Sequence, residues 1–61
     1  MSFREFQDVV HWFIGEHPVR FERHDGKYVA RVFGKFTIIG NSVSKIPYVR
    51  WGSGHQAPLP V

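Results

Sequence analysis

Sixty-one residues without a cysteine allow one small domain and exclude a disulfide framework, a thiolate nucleophile and a cysteine-based metal site. A hydrophobic content of 43%, with 16% aromatic residues, excludes a disordered chain. The formal charge of +3 is uneven: residues 1–17 hold Arg4 against Glu5, Asp8 and Glu16, while the other seven basic residues follow, opposed only by Glu22 and Asp25, a bias that favours acidic partners.

A chain this short buries only about 60% of the surface it exposes when unfolded, so its core must rest on apolar packing, extended where needed across a subunit interface. No apolar run approaches the roughly 18–20 residues of a membrane span. The stretch Met1-Ser2-Phe3-Arg4-Glu5 has neither the basic nor the apolar region of a signal peptide. A cytoplasmic protein without membrane contact is the expectation.

In chain order, Ser2-Phe3-Arg4-Glu5 reads as a capping box, with the Ser2 hydroxyl and the Glu5 carboxylate each satisfying the other's amide. Phe3, Phe6, Val10 and Phe13 follow at helical spacing, with Val9 and Ile14 on the same side and Arg4, Asp8 and His11 opposite. Gly15 suits a C-cap and Pro18 stops continuation, so the spacing predicts a helix over residues 3–14. From Val19 the period changes to two. Asp25-Gly26 between two alternating segments is a strong signal for a type I′ hairpin, because both central residues need positive φ. That loop opposes Arg23 to Tyr28, Phe21 to Ala30 and Val19 to Val32. One face then carries Val19, Phe21, Tyr28, Ala30 and Val32 toward the helix; the other carries Arg20, Glu22, His24, Lys27, Val29, Arg31 and Phe33.

Phe33-Gly34-Lys35 reads as a second turn. A three-residue loop sends Phe36 and Ile38 inward and leaves Thr37 and Ile39 outside; a two-residue loop reverses them, and the first is preferred because it buries two large side chains. Pro47 keeps a central strand from running through it, which leaves Tyr48-Val49-Arg50-Trp51 as an edge strand. The expected fold is α+β: one N-terminal helix packed on a three- to four-stranded antiparallel meander over residues 1–51, with an extended Gly/Pro-containing tail over 52–61. Phe6, Val10, Phe13, Phe21 and Val32 are the expected core.

The outer sheet face is the main candidate for function, since it mixes arginine with exposed aliphatic and aromatic side chains as interfaces do. Arg20 opposite Arg31 is unfavourable in isolation, and Glu22 on the diagonal relieves only part of that. The candidate partner-binding residues are Arg20, Lys27, Val29, Arg31, Phe33, Ile39, Arg50 and Trp51. The separations of His11, His17, His24 and His55 match no metal motif. His55, in Gly52-Ser53-Gly54-His55, lacks an orienting partner for general base work. No cofactor, metal or catalytic site is expected. The tail Ala57-Pro58-Leu59-Pro60-Val61 favours polyproline II and suits a partner's groove or a sister subunit.

The expected function is therefore that of a small non-catalytic binding protein, an inhibitor or accessory factor that docks on a protein through its outer face, a sheet edge or the tail. The alternative is a nucleic-acid-binding module that uses the basic strands, with Phe33 as a base stacker. Homodimerisation is compatible with either.

Overall fold

The computed structural model describes residues 1–60; Val61, the last residue of the tail, lies outside the described residues. Helix α1 spans Phe3–Ile14, as the periodicity predicts. Both halves of the capping box form: the Glu5 amide donates to Ser2 Oγ at 3.1 Å and the Ser2 amide to Glu5 Oε1 at 3.0 Å. These bonds hold the Glu5 carboxyl below its ordinary pKa, the backbone bond at Ser2 contributing most. At the other end the Gly15 amide donates to the His11 carbonyl at 2.9 Å.

Five antiparallel strands follow in sequence order: β1 (Val19–His24), β2 (Lys27–Val32), β3 (Phe36–Asn41), β4 (Tyr48–Trp51) and β5 (Gln56–Pro58). The β1–β2 register is the one set by a two-residue Asp25-Gly26 loop, with φ of 48° and 77° at the two residues. Val32 opposes Phe36 across β2 and β3, so the second turn holds three residues, and Ile38 points inward while Ile39 points out. The chain reaches β4 through a loop braced by Asn41, whose Oδ1 accepts from the amides of Val43 and Ser44 at 2.9 and 2.6 Å.

The sheet exceeds the expected meander by one strand. Within residues 52–61, the segment Gln56–Pro58 turns back and pairs with β4, which makes β4 an internal strand and not an edge. Pro47 is compatible with this because β4 begins just after it, and Pro47 itself is fully buried. Beyond β5, the Leu59 amide donates to the Pro47 carbonyl at 3.0 Å and the Leu59 side chain enters the core at 3% exposure.

The core lies between α1 and the inner sheet face: Phe6, Val10 and Ile14 meet Tyr28, Ala30, Val32, Ile38, Val49 and Leu59. Phe13 and Phe21, expected inside, are only partly buried and pack at its margin. A single helix is too narrow to cover five strands, so its centre line buries Phe6, Val10 and Ile14 while the flanking aromatics remain at the rim. Gly40 lets Phe6 lie flat on β3: a Cβ there would sit 2.8 Å from the Phe6 ring. The Tyr28 hydroxyl donates to the Met1 carbonyl at 3.1 Å, so the buried phenol is satisfied.

Candidate functional site

The register of the five strands assembles the outer face into rows. Across the middle run Glu22, Val29, Ile39, Tyr48 and Pro58, one from each strand. One row closer to the Phe33-Gly34-Lys35 turn run Arg20, Arg31, Thr37, Arg50 and Gln56. Side chains of directly opposed residues project to the same side of a sheet, so an apolar band lies beside a band that carries three arginines. Among the described residues no helix covers this face, because α1 packs on the other.

Val29 and Ile39 are half-buried by their neighbours, whereas Tyr48 is 49% exposed and Phe33, in the turn after β2, is 61% exposed. A cleft of about 640 Å³ opens between that turn and the end of β4; Val29, Phe33 and Ile39 line it together with Arg31, Lys35 and Arg50. Among the described residues, three cations and no carboxylate therefore surround an apolar floor. Among the described residues Glu22 is the acid beside it, and it forms an ion pair with Arg31, Nε to Oε1 at 3.1 Å. Among the described residues Arg20, Arg50, Lys27 and Lys35 have no ion-pair partner.

Of the residues singled out from the sequence, the structure brings Val29, Arg31, Phe33, Ile39 and Arg50 together around the cleft. Arg20 shares their face at the outer strand, and Lys27 lies at the hairpin end of β2, opposite Asn41 and His24. Trp51 stands apart. Neighbouring residues on a strand point to opposite sides, so with Arg50 on the outer face Trp51 turns to the helix side. There its ring meets Phe36 at 4.9 Å, which in turn meets Phe13 at 6.1 Å, although Trp51 also borders one end of the cleft. Tyr48, absent from the candidate residues, shares the outer face with Ile39 and Arg50. The signal was the alternation of β4 itself: with Val49 inward, Tyr48 and Arg50 must face out together.

The four histidines are dispersed. The His11 ring meets Phe21 edge to face at 5.3 Å, His17 Nδ1 lies 2.7 Å from the Ile14 carbonyl, and His24 sits 3.2 Å from Asp25 on the exposed hairpin. Among the described residues, no three side chains of metal-binding type come together. No protein-family model matches the chain, and no curated protein or solved structure shows significant similarity to it.

Proposed function

We propose that this chain is a small non-catalytic binding protein, an inhibitor or accessory factor, that docks on a protein partner through the outer face of its sheet. The row Val29–Ile39–Tyr48 carries this reading: aliphatic and aromatic side chains occupy the centre of an uncovered face, with arginines beside them. Interfaces are built in that way, with an apolar centre that sheds water and a polar rim in which arginine is favoured. The cations at the cleft fit a partner that presents carboxylates around an apolar anchor.

Nucleic-acid binding is the second reading, and Arg20, Arg31 and Arg50 in one row favour it, because such a row can follow phosphates. Aliphatic side chains in the middle of the face do not serve that purpose, although Phe33 and Tyr48 offer exposed rings on which bases could stack.

A photoreactive phenylalanine analogue at Tyr48, compared with the same probe at Asp8 on the opposite side of the molecule, separates the readings. A discrete protein adduct from position 48, absent from position 8 and lost in Ile39→Asp, is expected. Tight, salt-sensitive binding of random-sequence DNA or RNA that is indifferent to Tyr48→Ala and Phe33→Ala would reverse the ranking.

A further inference from the structure

The two edges of the sheet are unlike. β5 is three residues long and contains Pro58, with Pro60 following, which is how natural sheets blunt an edge. β1 is six residues long, has no proline, and among the described residues pairs with β2 alone. In a hairpin closed by two residues, His24 and Lys27 flank the loop as a hydrogen-bonded pair, and the bonded pairs then alternate along the strands. Glu22–Val29 and Arg20–Arg31 therefore use the β1 groups that point toward β2. The amides and carbonyls of Val19, Phe21 and Arg23 point away from the sheet.

The side chains of this edge complement themselves. When two β1 strands run antiparallel about a two-fold axis at Phe21, Arg20 stands directly opposite the partner's Glu22, and the partner's Arg20 opposite Glu22. Shifting the axis to Arg20 or to Glu22 instead opposes like charges. The same register puts Phe21 against the partner's Phe21 on the helix side, and Val19 against the aliphatic stem of the partner's Arg23. It also supplies what a single copy lacks. Arg20 lies opposite Arg31, and Glu22 Oε1 is already engaged by Arg31 at 3.1 Å, so among the described residues Arg20 has no carboxylate. In the pair, each Glu22 offers its second oxygen to an Arg20 across the seam.

We infer that β1 pairs with β1 of a second copy of this chain, antiparallel and centred on Phe21, to form one continuous ten-strand sheet stitched by Arg20–Glu22 bridges. The contact is isologous, so it closes as a dimer and goes no further, and β5 does not extend the array. It leaves the outer face free and doubles it, so the dimer presents two apolar bands to a partner. A single strand edge buries less than the roughly 1,200 Å² of a standard interface, so the dimer is weak and depends on concentration.

Sedimentation of the whole chain from micromolar to millimolar concentration tests this, with the mass expected to rise from 7.1 kDa toward twice that value. R20E and E22R should each remain monomeric over the range, because each opposes like charges twice across the seam. An equimolar mixture of the two should dimerise, since the two carboxylates of one chain then face the two arginines of the other. R20E also places a carboxylate across from Arg31 within its own chain, so its melting point should equal or exceed that of the parent, which separates loss of pairing from loss of fold. As a second readout, exchange of the Phe21 amide in the parent chain should slow as concentration rises. A parent chain that stays at 7.1 kDa throughout, a dimer that survives both single variants, or a mixture that remains monomeric overturns the inference. So does a dimer abolished by Tyr48→Ala and indifferent to R20E, which would place the contact on the outer face.

Discussion

Gly40 illustrates how much can depend on one missing carbon. Its neighbour is the ring of Phe6, the largest fully buried side chain, and a Cβ on Gly40 would approach that ring to 2.8–2.9 Å. Gly40→Ala should therefore destabilise the protein by about 1–3 kcal/mol, the range for overfilling a packed core. Combining it with Phe6→Leu should cost less than the sum of the two single changes, a coupling that denaturant unfolding of the four variants would measure. Strict additivity would mean that ring and glycine do not touch. Gly26 is constrained by backbone conformation. At φ of 77° a β-branched residue is strained, and its Cβ would also sit 2.9 Å from Ser42 Oγ, so Gly26→Val should lose about 1–3 kcal/mol. Equal stability of that variant by thermal melting would exclude the two-residue loop. The margin is more forgiving than the centre. Phe6→Ala should cost about 3–5 kcal/mol, whereas Phe13→Ala, at a partly buried position, should cost clearly less.

Among the elements, α1 and β5 owe their positions to different forces. The start of α1 is held by local chemistry, and that chemistry titrates. Folding lowers the Glu5 pKa from its ordinary 4.5, so the unfolded chain binds the proton more tightly than the folded one. The stabilisation is complete above the ordinary value and disappears as the pH falls through the lower folded value. Glu5→Gln should flatten the acid side of a plot of melting temperature against pH and leave the neutral side sloped as before. An unchanged acid side would show that the capping box does not persist in solution. β5, by contrast, is held by what it packs against. Leu59→Ala should destabilise by about 2–3 kcal/mol and also loosen β4, seen as faster amide exchange at Val49, because without the Leu59 anchor a three-residue strand has little to hold it.

For the whole molecule, the proposed docking on the outer face makes separable predictions for its two bands. If a protein partner seats on Val29, Ile39 and Tyr48, Tyr48→Ala or Phe33→Ala should cost about 2 kcal/mol or more in affinity, mainly through faster dissociation, and salt should affect chiefly the association rate. Arg50→Glu should slow association. If phosphates are the target, affinity should fall steeply with salt, and charge reversal at Arg20, Arg31 or Arg50 should weaken every sequence alike. Stopped-flow association and dissociation rates at two ionic strengths distinguish the outcomes. Because the proposed seam lies along β1 and the docking band runs across β2, β3 and β4, R20E should abolish pairing and, as the loss of a rim cation, slow a partner's association without speeding its dissociation from Tyr48.

Local rules were enough for the secondary structure of the first forty residues. The capping box, the helical spacing from Phe3 to Ile14 and the Asp25-Gly26 turn each follow from groups only a few positions apart, so the sequence by itself determined α1, the β1–β2 register and Val29 and Arg31 on the outer face, whereas two loop lengths were open at Phe33-Gly34-Lys35 and only the folded sheet decided between them. The segment 52–60 obeys no such rule. Glycines and prolines permit Gln56–Pro58 to be extended without dictating a partner, and only the exposed backbone edge of β4 and the apolar space beside Val49 and Pro47 draw that strand and Leu59 into place. Alternation puts Tyr48 with Arg50 on one face and Val49 with Trp51 on the other, and the tertiary structure decided which of these is the outer face. The face a strand residue occupies is set by register against its neighbours, and for β4 that register comes from β3 on one side and the returning chain on the other.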